Sequence, residues 1–146
     1  MTDPAPWIDT LACRTLIETS VRHVDAGAAQ AFAALFTEDA VLVRPNGSQL
    51  EGRAAIQAAY AQRAADRITR HLVANVAVTL EADGRARAHS DVLLWTASTP
   101  DEADPVFGRR ADARQLVGEF DDQLIKDAGG EWRLQRRQAR FVMHSA

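Results

Sequence analysis

Ile68-Thr69-Arg70-His71-Leu72-Val73-Ala74-Asn75-Val76-Ala77-Val78 is the stretch whose reading decides the fold of this chain. With a two-residue period, His71, Val73 and Asn75 fall on one face, and Leu72, Ala74, Val76 and Val78 on the other. A face that sets an imidazole and an amide among aliphatics reads as the wall of a cavity. The opposite face is apolar as well, so both sides of this strand need cover. Helices are expected over one side and a partner chain, as in a homodimer, over the outer side.

Upstream of the strand the apolar spacing is helical. Trp7, Ile8, Leu11, Ile17, Val21 and Val24 recur at three- and four-residue intervals, and the helix should stop near Asp25-Ala26-Gly27, where glycine takes the left-handed conformation past a helix end. A second short helix is expected over 28–36, closed by Thr37-Glu38-Asp39, and a strand over 40–44. Pro45-Asn46-Gly47-Ser48 signals a hairpin turn. A short return strand at Gln49-Leu50 and an alanine-rich third helix from Gly52 to about Ala65 complete this half.

From Ile68 onward the period stays at two. Strands are expected over 70–81, 86–98, 115–127 and 132–143, with tight turns at Ala82-Asp83-Gly84 and Asp127-Ala128-Gly129-Gly130. The stretch 99–112, with two prolines and a block of charges, reads as a longer loop at the mouth of whatever the sheet encloses. Helices first and long strands after describe an α+β fold. It is a curved antiparallel or mixed sheet wrapped on three N-terminal helices into a cone, a shape suited to a small apolar or aromatic ligand.

Composition bounds the function. At 146 residues, 47% hydrophobic and 25% charged, the chain has room for one domain and one core, 1–146, with 1–6 expected as a flexible leader. A net charge of −3 and a pI near 5.8 argue against nucleic acid as a partner. No apolar run approaches the ~18 residues that span a bilayer, and no secretory signal pattern opens the chain, so a cytoplasmic location is expected. The single cysteine, Cys13, sits among helical apolar neighbours and reads as a small buried hydrophobe. His23, His71, His89 and His144 show no pair with ligand spacing, and no phosphate loop or nucleophile elbow is present, so neither metal nor cofactor is expected.

Several segments in this order resemble one family. They are Val24-Asp25-Ala26-Gly27, Ala34-Leu35-Phe36-Thr37-Glu38-Asp39-Ala40, Leu50-Glu51-Gly52-Arg53-Ala54-Ala55-Ile56, Arg70-His71-Leu72-Val73-Ala74-Asn75, Gly118-Glu119-Phe120-Asp121 and Gly130-Glu131-Trp132-Arg133-Leu134 with Arg137. From about Ile17 to Met143 the chain resembles SnoaL-like proteins of the nuclear transport factor 2-like superfamily. That group includes scytalone dehydratase, ketosteroid isomerase and the β subunits of ring-hydroxylating dioxygenases. The resemblance implies a cystatin-like α+β barrel, a dimer or larger assembly, and a pocket between sheet and helices. In dehydratase-like members an aspartate ending the first helix and a histidine starting the first long strand act on substrate; the matching positions are Asp25 and His71. Dehydratases also use tyrosines and a second histidine, whereas this chain has one tyrosine, Tyr60, with Val24 and Trp95 at the other positions. The resemblance therefore implies cofactor-free proton transfer by a lyase or isomerase, or a non-catalytic assembly module like the dioxygenase β subunits.

Each candidate has a plainer reading. Asp25 would otherwise be a solvated carboxylate at a helix C-terminus, where the dipole opposes it by about 0.3–1 kcal/mol. His71 would be a core histidine satisfied by a carboxylate. Asn75 and Tyr60 are substrate-contact candidates, Asn75 serving equally as structural support. Trp95, sharing a face with Leu93 and Asp91, would give an aromatic wall or ordinary packing. Glu119, Asp121 and Gln123 alternate inward if Phe120 and Leu124 face away, making Asp121 a partner of His71 or a pocket group, or else a salt bridge to Arg137 or Arg140.

Overall fold

A computed structural model describes residues 5–146. Residues 1–4 of the expected leader lie outside the described residues, whereas Ala5 and Pro6 already belong to the first helix, α1 (Ala5–Asp25). Proline suits the first turn, where its missing N–H costs no helical bond. α2 (Ala29–Ala34) follows, then β1 (Phe36–Val43), β2 (Gln49–Glu51), α3 (Arg53–Ala61) and four long strands. These are β3 (Ile68–Glu81), β4 (Arg85–Ala97), β5 (Leu116–Lys126) and β6 (Trp132–His144). All six strands form one sheet in the order β2-β1-β6-β5-β4-β3, antiparallel except for the parallel β1–β6 pair. This is the α+β fold expected.

Two boundaries differ from the expectation. β1 begins at Phe36, because Phe36 pairs with Leu134 of β6 and draws Thr37-Glu38-Asp39 into the strand. α3 ends at Ala61, four residues early.

The helices cover the inner face of the sheet. Cys13, Leu16, Ile17, Ser20 and Val21 form the buried stripe of α1, and Cys13, Leu16 and Ile17 join Phe32, Phe36, Leu42, Ile56, Leu124 and Leu134 in the core. Each buried leucine, isoleucine, valine or phenylalanine among them contributes about 1.5–3 kcal/mol by leaving water. Burial also pushes the Cys13 thiol up to about 11, so it stays an inert hydrophobe. Trp7, Ile8 and Leu11, expected on the inner stripe, are exposed. Asp9 accounts for this: it accepts a hydrogen bond from Trp132 Nε1 at 2.9 Å and pairs with Lys126 at 2.7 Å, turning the first turns of α1 so that their apolar residues face out.

The parity of β3 changes midway. Thr69, His71 and Val73 face the helices, a bulge intervenes between Ala74 and Ala77, and Val76, Val78 and Leu80 then resume the inner face. Asn75 sits in the bulge with φ +52°, a left-handed conformation that asparagine tolerates better than most residues. The carbonyl of Val76 accepts from Arg14 of α1 at 3.0 Å. The expected placement of Asn75 beside His71 and of Val76 and Val78 on the outer face is thereby corrected: one extra residue reverses the alternation.

The outer face carries a cross-strand apolar row. Leu72 opposes Leu93, Leu93 opposes Val117, and Val117 opposes Met143, with Trp95 and Ile68 beside them; Leu72 is 53% exposed and Met143 60%. Among the described residues no helix is long and apolar enough to cross a membrane.

Candidate active site

Asp25 is the last residue of α1, and the chain turns there because Gly27 adopts φ +69°. The amide of Ala28 bonds the His23 carbonyl and that of Gly27 the Val24 carbonyl, the paired bonds of a Schellman ending. This stop aims the Asp25 carboxylate at the start of β3. There Oδ1 accepts from the Thr69 hydroxyl at 2.8 Å and Oδ2 from the His71 amide at 2.8 Å, while His71 Nδ1 lies 2.6 Å from Oδ1.

Burial raises the Asp25 carboxyl, but the bonds from the His71 ring and amide and from Thr69 outweigh it and hold the group below the ordinary carboxylate range. An ionised carboxylate only accepts, so the ring proton of His71 belongs on Nδ1. Nε2 then carries the free lone pair and has no protein partner among the described residues. The side chains are 16% and 13% exposed, sheltered enough for the pairing to matter.

His71 lines a cavity of about 260 Å³ between the helices and the inner sheet face. Van der Waals walls come from Val21, Val24, Phe32, Leu42, Leu94 and Phe120. That space suits one or two fused rings, since an engineered cavity of ~150 Å³ holds benzene. Tyr60 lines it too: its ring packs on Phe32 at 4.5 Å between centroids, and its hydroxyl has no hydrogen-bond partner among the described residues. Burial raises the Tyr60 phenol, against the pull of Arg137, Arg63 and Arg44, so the group stays a neutral donor.

The remaining candidates fall elsewhere. Trp95, opposite Arg70, is 41% exposed on the outer face, so the aromatic walls are Phe32, Phe120, Phe141 and Tyr60 instead. Asn75 donates to Asp91 at 2.7 Å from the bulge, away from the cavity. Asp121 also faces out, bonded to His89 Nδ1 and Arg140 at 2.8 Å each. Phe120, Asp122 and Leu124 take the inner positions that had been expected for Glu119, Asp121 and Gln123.

The inward carboxylate of β5 is therefore Asp122, which the sequence reading missed. It holds Arg137 through two bonds of 2.7 and 2.8 Å; Arg137 also donates to Ser20 at 2.9 Å and stacks over Phe120 at 4.0 Å. Both partners are buried, and the bidentate geometry compensates their lost hydration. The signal available was the pairing of an Asp-Asp step with an Arg-Arg step on neighbouring strands, which only the register resolves. On the outer face His89, Asp91 and Glu119 bring ligand atoms within 4.8 Å of one another. His89 bonds Asp121, Asn75 bonds Asp91 and Arg140 holds Glu119, so this group reads as a surface charge network.

With cavity, helix ending and strand order in place, the SnoaL-like domain model matches residues 7–138. The chain belongs to the SnoaL-like family. Solved structures agree on the fold. A candidate scytalone dehydratase from Novosphingobium aromaticivorans DSM 12444 superposes with a TM-score of 0.78 at 22% identity, covering 96% of this chain and 88% of that one. A nuclear transport factor 2-like protein with a cystatin-like fold from the same organism gives 0.78 at 22%, covering 94% and 84%. A hexachlorocyclohexane dehydrochlorinase, LinA type 2, gives 0.74 at 14%, covering 94% and 90%. At these identities the likeness speaks for the fold alone. Comparison with curated proteins finds no match. The expected superfamily and cystatin-like architecture of this SnoaL-like protein thus stand.

Proposed function

We propose that this SnoaL-like protein is a cofactor-free lyase or isomerase that moves a proton on a cyclic, largely apolar substrate, with Asp25 and His71 as its catalytic pair. The observation that carries the reading is the 2.6 Å contact between Asp25 and His71 Nδ1, with His71 at the wall of an apolar cavity. In this reading Nε2 accepts a proton from a C–H acidified by a neighbouring carbonyl. Asp25 stabilises the imidazolium that results, and the proton returns to another carbon or to a departing group. Tyr60 donates its free hydroxyl to the carbonyl oxygen, where negative charge develops. The names of the dehydratase and dehydrochlorinase structures are compatible with such chemistry.

Screening ring ketones, enones and polyketide-like compounds with the wild type, His71→Ala and Asp25→Asn tests the reading. Turnover should fall by roughly 10²–10⁴-fold in His71→Ala, the usual worth of a positioned general base. Unchanged turnover in both variants contradicts it.

The outer-face row Leu72, Leu93, Val117 and Met143 supports a homodimer formed through that face, and the dimer is proposed to act in the cytoplasm. The same row supports the second reading, a non-catalytic assembly module. That reading predicts no activity alone and co-purification with an oxygenase α subunit.

A further inference from the structure

The cavity is apolar in its walls but cationic at one side. Arg44, Arg63, Arg67, Arg137 and Arg140 all line it. Two of these are neutralised, Arg137 by Asp122 and Arg140 by Glu119 and Asp121. The other three pair with no carboxylate among the described residues. Arg44 donates only to the neutral Ser48 hydroxyl at 2.9 Å. Arg63 makes a long 3.4 Å bond to Thr69 and lies 5.9 Å from the Tyr60 ring centroid. Arg67, four residues beyond Arg63 in the connection between α3 and β3, makes no hydrogen bond of its own side chain.

Burial, followed by the charge of Arg67, lowers the Arg63 guanidinium from its ordinary value, so the two cations oppose each other across the pocket edge. Asp25 attracts Arg63 and Asp112 attracts Arg67, yet neither carboxylate comes within ion-pair distance of these guanidinium groups, and the oxygens of Asp25 are bonded to His71 and Thr69. Arg44 and Arg63 are half-buried with no carboxylate in direct contact and Arg67 is exposed beside them, an arrangement that an arriving anion stabilises. The fields of Arg44 and Arg63 converge with that of Arg137 on the Tyr60 hydroxyl, which is itself a free donor.

Resting on the proton-transfer reading and narrowing its substrate, we infer that the ring compound carries a planar oxyanion, a carboxylate or an ionised phenol, seated between Tyr60 and the guanidinium groups of Arg63, Arg67 and Arg44. The apolar rings fill the space bounded by Phe32, Leu42 and Phe120, which orients the molecule with its charged end away from the aliphatic floor. Thr69 joins the two halves of the site, accepting from Arg63 and donating to Asp25.

Calorimetric titration of the full chain with 2-naphthoate, 1-naphtholate at pH 10 and the uncharged 2-naphthamide tests this. One of the two anions should bind about tenfold or more tightly than the amide at low salt, the worth of one charge-assisted hydrogen bond, and which of them does so names the oxyanion. That preference should disappear in Arg63→Gln and in the exposed Arg67→Gln, and persist in Arg87→Gln, which removes an equal charge from the outer face. Thermal melting of each variant verifies folding, and Arg67→Gln alone decides if Arg63→Gln does not fold. Equal affinity for all three probes, or a preference that survives Arg67→Gln and Arg63→Gln, overturns the inference and leaves proton transfer standing. A preference that holds while turnover survives His71→Ala overturns proton transfer instead.

Discussion

At the scale of single residues, Asp25 ends a helix whose dipole opposes its charge, and three donors from β3 more than offset that cost. Its carboxyl is held below the ordinary value near 3.9, so its contribution to stability is complete above that value and is lost as pH falls through the lower folded value. Urea midpoints of wild type and Asp25→Asn should therefore differ at pH 7 and converge toward pH 2; a constant difference over that range contradicts the paired, ionised Asp25. Asp25 and His71 were legible for separate reasons. Gly27 marks the helix stop, the change of period marks the strand start, and the family resemblance joined the two. Tyr60 was legible as the chain's only tyrosine, but its ring of arginines was not. Arg44 follows β1, and Arg63 and Arg67 lie in the irregular connection between α3 and β3, where neither period tells which way a side chain points.

At the scale of elements, alternation revealed that strands exist but not which way they face. β3 and β5 carry apolar residues on both sides, so parity depends on cross-strand register. The bulge at Asn75 reverses β3, and β5 places Asp122 rather than Asp121 inward. Gly118 illustrates the same dependence: a Cβ there would meet the Arg140 carbonyl at 2.7 Å, a clash visible only once β5 and β6 are paired. If the bulge sets the inner face, the left-handed φ of Asn75 must be kept. Asn75→Gly should stay within ~1 kcal/mol of wild type, whereas Asn75→Val should lose ~1–3 kcal/mol in denaturant unfolding. Equal stability of the two variants would show that the bulge is not needed.

At the scale of the whole molecule, one sheet serves two purposes. Its inner face meets helices and encloses the cavity, while its outer face presents the row from Leu72 to Met143. A stable pair of such surfaces buries about 800 Å² on each partner. Sedimentation velocity should show the wild type as a dimer and Leu72→Arg as a folded monomer; a monomeric wild type, or a Leu72→Arg dimer, contradicts association through this face. The cone, its helix order and its apolar outer face were readable because both periods and both turn signals survive in the sequence. The charge of the pocket was not, because an even mixture of acidic and basic residues along the chain hides three arginines that form no ion pair with a carboxylate among the described residues.

The central claim is that His71, oriented by Asp25, takes protons from carbon within the cavity. Deuterium uptake from heavy water into 2-tetralone, followed by proton NMR, measures that step without requiring the natural substrate. Wild-type protein should accelerate uptake roughly 10²–10⁴-fold over His71→Ala at equal concentration. Equal uptake with the two proteins would contradict the account.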